Sequence, residues 1–73
     1  MYVQAGAFAQ YNNANRARAR LSALGPVKIS SVLVDGRDLF RVRVGPLKDV
    51  SKADQFLDQV IGSGYTGARI VIE

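Results

Sequence analysis

The chain contains no cysteine and no histidine. Those two absences remove disulfides, thiol nucleophiles, zinc sites of the usual ligand types and imidazole proton transfer. The hydroxyls and carboxylates that remain do not assemble a catalytic set. Ser30, Ser31, Asp35 and Asp38 have no histidine or cysteine to activate them, and an aspartate pair bracketing a glycine is ordinary turn chemistry. No enzymatic activity, cofactor or metal is expected of this chain. Long apolar runs are also missing: none approaches the roughly 18 residues needed to cross a bilayer, so no direct membrane insertion is expected. The opening stretch MYVQAGAFAQ lacks the basic start and long apolar segment of a secretory signal. If the domain is exported, the signal or lipid anchor belongs to a longer parent chain of which this is a fragment. Acidic residues are the last scarcity, six against ten basic ones for a net charge of +4, with arginine supplying seven of the ten. That balance favours polyanions or anionic groups as partners.

The 73 residues leave room for a single small domain, 1–73, and 48% apolar content is ordinary for a globular protein. A domain of this size buries only about 60% of the surface its unfolded chain exposes, so its core must be economical. YVQAGAF (Tyr2 to Phe8) reads as a strand with Val3, Ala5 and Ala7 on one side and Tyr2, Gln4 and Gly6 on the other. Asn12 or Asn13 is a suitable N-cap for an amphipathic helix carrying Ala14, Ala17, Leu21 and Leu24, and Gly25-Pro26 stops it. Arg16, Arg18 and Arg20 flank that apolar stripe, with stems along the core edge and guanidinium groups in water.

VKISSVLV and LFRVRVGP, either side of a glycine turn, predict a β-hairpin. With Gly36-Arg37 at its tip, Leu33 would face Phe40, Ser31 would face Val42 and Ile29 would face Val44. The other side of the hairpin then carries Lys28, Ser30 and Val32 beside Arg41 and Arg43. A second helix follows, N-capped by Ser51 with Asp54 at the reciprocal position, and Ala53, Phe56, Leu57, Val60 and Ile61 form its core stripe. GSGYTG leads into a closing strand with Ala68, Ile70 and Ile72 on one side and Arg69, Val71 and Glu73 on the other.

The order strand, helix, strand, strand, helix, strand predicts an α+β fold of the split βαβ type, ferredoxin-like or RNP-like. Its four-stranded antiparallel sheet would carry both helices on one face. The first and third strands are then central, and Gln4, Arg41 and Arg43 converge in the middle of the uncovered face. Forked guanidinium and amide donors there suit carboxylates, acetamido carbonyls and hydroxyls, and a small Gly6 would let a ligand approach the backbone.

YVQAGAF before a helix and FRVRVGP after a hairpin resemble the two motifs of the SPOR domain (sporulation-related repeat), a module of bacterial cell-envelope proteins. The first motif falls on Gln4, Gly6 and Phe8, the second on Phe40, Arg41, Val42, Gly45 and Pro46, and the resemblance extends from Tyr2 to Glu73. The position after Gly-Pro, often aromatic in the family, is Leu47. The resemblance implies a peptidoglycan-binding module that recognises glycan strands lacking stem peptides, made by amidases at the division septum, and hence a periplasmic or cell-envelope location. It makes Gln4, Gly6, Ser30, Arg41 and Arg43 the candidate glycan-binding residues. YVQAGAF, KISSV and FRVRVGPL together are similar to the C-terminal domain of rare lipoprotein A-type lytic transglycosylases. The expected partner is therefore a denuded glycan strand bound by a monomer, with no nucleic acid.

That partner suits the charges, since a muramic acid without its peptide exposes a lactyl carboxylate to which Arg41 or Arg43 could pair. Two other readings stay open. RNA-recognition domains share the strand order, but they stack bases on aromatic residues of the central strands, where this chain has Arg41 and Arg43. A protein-interaction module would use the basic edge of the first helix.

Overall fold

A computed structural model of the chain describes residues 1–72. Its elements are strand β1 (Tyr2–Phe8), helix α1 (Tyr11–Leu21), strands β2 (Val27–Val34) and β3 (Arg37–Val44), helix α2 (Val50–Gly62) and strand β4 (Arg69–Val71). The four strands form one antiparallel sheet in the order β2-β3-β1-β4. This is the expected α+β architecture, with β1 and β3 central. Glu73, expected beside Arg69 and Val71, lies outside the described residues.

The core lies between the sheet and the two helices. Val3 and Ala5 of β1 and Val42 and Val44 of β3 meet Ala14, Ala17 and Leu21 of α1 and Val60 of α2, all buried. Alanine at two of the three buried positions of α1 lets its backbone approach the valines closely, which suits a chain too short for a thick core. Phe8, Phe40, Phe56, Leu57 and Ile70 close the margins of this cluster. Ile61, expected in the α2 stripe, is 38% exposed at the margin of the apolar arc, beyond the reach of the sheet. Leu24 is half-buried in the turn after α1, which ends at Leu21.

Both helix starts differ from the sequence reading. Helix α1 begins at Tyr11 with Gln10 as N-cap and no side-chain cap. The Tyr11 ring meets Phe40 of β3 edge-on, with centroids 5.6 Å apart. That tertiary contact holds the first turn further upstream than the Asn12 or Asn13 caps would have set it. Helix α2 is capped by Asp49, whose Oδ1 accepts from the Lys52 backbone N–H at 2.8 Å, so Ser51 falls inside the first turn. A charged acceptor at the positive end of the helix outweighs the neutral hydroxyl two residues later.

Two strand registers also differ. The hairpin turns on Asp35-Gly36, with φ of 50° and 78°, the two positive values that a two-residue type I′ loop requires. Gly36-Arg37 would have forced an arginine into that conformation. Ile29 consequently faces Val42, Ser31 faces Phe40 and Leu33 faces Asp38. The shift is an even number of residues, so each side chain keeps its expected face. In β1 the pairing with β3 shifts between Gln4 and Gly6, a bulge that reverses the alternation beyond it. Gly6 stands level with the core residue Val42, and Ala7 stands level with Arg41. The expected sides of Gly6 and Ala7 are therefore exchanged. The bulge also directs Phe8 to the core side, opposite Phe40.

Gly45 after β3 has φ of 139°, and a Cβ there would lie 3.0 Å from Tyr2 Cδ1 and 3.1 Å from the Leu47 backbone nitrogen. Gly62 at the end of α2 has open space around it. Gly45→Ala should lose about 1–3 kcal/mol of stability from backbone conformation alone. Gly62→Ala should be neutral or stabilise by up to about 1 kcal/mol. Urea unfolding of the two variants checks this, and equal effects would mean that the Gly45 conformation is not what requires glycine there.

Candidate functional site: the uncovered sheet face

Because both helices occupy one face of the sheet, the other has no layer of its own. The strand register determines what it displays. One rung runs Arg69 (β4), Gln4 (β1), Arg43 (β3), Lys28 (β2), and the next runs Ala7 (β1), Arg41 (β3), Ser30 (β2). Adjacent strands lie about 4.8 Å apart, so the first rung places three cations and one amide in a single line across the sheet. The described aspartates are elsewhere. Asp35 is in the hairpin turn, Asp38 pairs with Leu33 on the helix-side set, Asp49 caps α2, and Asp54 and Asp58 belong to that helix. Among the described residues, no carboxylate stands on the uncovered face.

The centre of this face is tied together. Arg43 Nε donates to Gln4 Oε1 at 3.3 Å, and the Arg43 guanidinium lies over the Tyr2 ring, 5.8 Å from its centroid. Close approach of that ring is possible because Gly45 has no Cβ beneath it. Gln4 and Arg43 are consequently only 8% and 7% exposed, so the open platform expected at the centre is a closed patch. Bonding through Oε1 leaves the Gln4 amide NH₂ as a donor.

Arg41, one rung along, is held more loosely. Its Nη2 donates to Ser30 Oγ at 3.4 Å, while its Nε is enclosed with no hydrogen-bond partner among the described residues. An unsatisfied buried donor costs about 1–3 kcal/mol, so Arg41 is held in place at some cost to the fold. Lys28 and Arg69 at the ends of the first rung are exposed.

Four of the five candidate residues are thus brought together in two linked pairs, Gln4 with Arg43 and Ser30 with Arg41. The fifth, Gly6, does not join them, because the bulge places it on the core side, and Ala7 takes the adjoining position on the uncovered face. The sequence reading left out Arg69. Its alternation with Ile70 was the available signal, but only the β1–β4 register aligns it with Gln4. Leu47, where the family often has an aromatic, packs against the core cluster.

The α+β fold with a cationic, helix-free sheet face defines a one-sided binding module. Residues 1–70 match the family model described as the SPOR domain, and the chain belongs to that family. A SPOR domain is a binding module rather than a catalytic one. The chain is similar to the endolytic peptidoglycan transglycosylase RlpA of two Pseudomonas aeruginosa strains, UCBPP-PA14 and PAO1, at 37% identity over 62 residues. The match covers 82% of this chain and 18% of each relative, so the chain spans under a fifth of the length of those proteins. It also superposes on the crystal structure of the RlpA SPOR domain from Pseudomonas aeruginosa with a TM-score of 0.90 and 32% identity, covering 99% of this chain and 97% of that one.

The burial of Arg43 sets it apart from the exposed cations of its rung. Arg43→Ala removes the bond to Gln4 and the guanidinium lying over the Tyr2 ring, and should cost about 1–3 kcal/mol of stability. Arg69→Ala, at an exposed position, should stay within about 0.5 kcal/mol. Thermal unfolding of the two variants measures the difference, and equal midpoints would show that the Gln4–Arg43–Tyr2 patch contributes nothing to the fold.

Proposed function

We propose that this chain is a non-catalytic peptidoglycan-binding module that recognises glycan strands lacking stem peptides and directs the protein carrying it to the division septum. The observation that carries this reading is the uncovered face itself, with Lys28, Arg41, Arg43 and Arg69 and no described carboxylate. Intact peptidoglycan has its lactyl carboxyls tied up in amide bonds to the stem peptide. Removing the peptide frees a carboxylate on every muramic acid and takes away bulk that would collide with a flat sheet. Selectivity then has an attractive and a steric component. SPOR family membership and similarity to an enzyme named for acting on peptidoglycan support the choice of polymer. Such a module works in the periplasm, as part of a longer envelope protein that carries the export signal or lipid anchor, and it acts as a monomer.

Arg41 and Ser30 are the groups placed to take the carboxylate. Ser30 Oγ is only a distant acceptor for Arg41, and an incoming carboxylate replaces it with a charge-assisted partner. Gln4 and Arg43 act as one unit, the amide orienting the guanidinium. A nucleic-acid partner is disfavoured because Phe40, the aromatic of β3, is directed into the core cluster rather than toward the uncovered face.

Co-sedimentation with sacculi before and after amidase treatment tests the partner and the selectivity together, and binding should rise once stem peptides are removed. Equal binding to both preparations would reject selectivity for denuded strands. Tight, salt-sensitive binding of single-stranded RNA without glycan binding would move the assignment to nucleic acid. Arg41→Ala should weaken binding to a denuded fragment by about 10- to 100-fold, the cost of one charge-assisted hydrogen bond. Arg37→Ala removes the same charge at the exposed end of the hairpin and should change it little. If the two variants weaken binding equally, the effect is general charge and not a site.

A further inference from the structure

Three large apolar side chains are left in water at one margin of the sheet: Val50 (61% exposed) and Ile61 (38%) on α2, and Ile72 (82%) just beyond β4. At 3.6 residues per turn, Val50, Leu57 and Ile61 share one flank of α2, and Asp54 and Asp58 continue around the helix from it. Phe56, on the opposite flank, has its ring against Gly25 in the turn between α1 and β2, so the Val50–Leu57–Ile61 flank looks the other way, over β4. Met1 and Leu47 are hydrogen-bonded through their backbones and Tyr2 stands opposite Val71, which puts the start of α2 near the end of β4. The two elements therefore run side by side in opposite directions. β4 is the last strand of the sheet, and alternate residues along it turn their N–H and C=O groups outward. The result is a groove with a free strand edge as its floor, an apolar helix flank as its wall and two exposed carboxylates on its rim. Neither Asp54 nor Asp58 is ion-paired among the described residues.

We infer that this margin docks an extended segment of a partner protein as a fifth strand, with apolar residues at alternate positions and an arginine or lysine midway among them. The free edge of β4 supplies main-chain hydrogen bonds, and the helix flank supplies the selection among side chains. An added strand extends the sheet under Ile61, which the four present strands do not reach. From Val50 to Ile61 the flank is about 16 Å long, the length of roughly five extended residues, so three side chains of the segment point at it. Apolar residues at the outer two cover Val50 and Ile61. A long basic chain at the middle one lays its stem along Leu57 and carries its charge to the level between Asp54 and Asp58. A second copy of this chain is a poorer occupant. Its own exposed strand, β2, has Ser31 between Ile29 and Leu33 on the helix side, where the groove calls for a cation. None of these residues belongs to the glycan site, so the inference stands apart from the proposed function.

The probe is a heptapeptide, Thr-Val-Thr-Arg-Thr-Val-Thr with both termini blocked, titrated into isotope-labelled protein and followed by the backbone amide signals in NMR. Shifts should concentrate on Arg69, Ile70 and Val71 and on the outer flank of α2. A second peptide with glutamate in place of the arginine should bind about three- to tenfold more weakly. General attraction would give the opposite order, because the protein carries a net charge of +4. Asp54→Asn combined with Asp58→Asn, both at exposed positions, should leave the fold intact and erase the preference for arginine, whereas Arg41→Ala should leave it unchanged. The inference is overturned if neither peptide binds, if the two bind alike, or if the shifts fall on the uncovered face instead. It is equally overturned if the protein alone sediments as a dimer and the Arg69–Val71 signals move with its own concentration, since the occupant is then a second copy.

Discussion

A single apolar surface, the side of the β1–β3 pair that carries Val3, Val42 and Val44, determines what the rest of the molecule can be. Both helices cover it from the same side. Alanines on α1 and a lone buried valine late in α2 bring both helices down onto this one patch. The opposite side of the sheet carries neither helix. Evolution could have filled it with any polar residues, and a mixture of signs would have been most stable. Instead the two rungs described carry four cations, one amide, a serine and an alanine. Like charges so placed repel one another, and an anion bound among them would lower that repulsion.

Much of this was legible in the residues. Element order, strand pairing and the one-sided placement of the helices follow from the shift between two-residue and helical apolar periods, from Gly25-Pro26 and from the glycine of the hairpin. Central neighbours β1 and β3 then bring Gln4 beside Arg43 from topology alone. Local details went the other way where a contact distant in sequence decided them. Tyr11 against Phe40 set the start of α1. The hairpin turn is the exception, a local matter set by the positive φ of Asp35 and Gly36, and its Asp-Gly signal stands openly in the sequence. The bulge in β1 was not legible, because VQAGAF alternates equally well with or without an extra residue. It shows only when Phe8 and Val3 must both reach the core. The closed centre of the face was likewise hidden, since it depends on Tyr2 lying over Gly45 and under Arg43.

The cations of the face fall into two mechanical classes. Arg43 is fixed by an amide, an aromatic ring and its own burial, and behaves as part of the framework. Arg69 and Lys28 are exposed at the two edges of the sheet and remain free to change rotamer. Arg41 lies between these extremes, with one distant contact and one enclosed donor. A rigid centre with mobile flanks suits a long flexible polymer, since the fixed group sets position and the mobile ones adjust to variation along the strand.

The bulge at Ala5 gives β1 two phases. Before it, odd-numbered residues face the helices; after it, even-numbered ones do. Deleting Ala5 would remove the bulge and leave plain alternation, with Val3, Gly6 and Phe8 still toward the helices and Gln4 and Ala7 still on the other face. The extra residue works as a phase shifter in the count of residues, while the strand presents a glutamine to the outside at one end and a phenylalanine to the inside at the other. A related chain lacking the residue at Ala5 could therefore keep the same pairing with β3, losing only the buried methyl and the added twist that the bulge supplies.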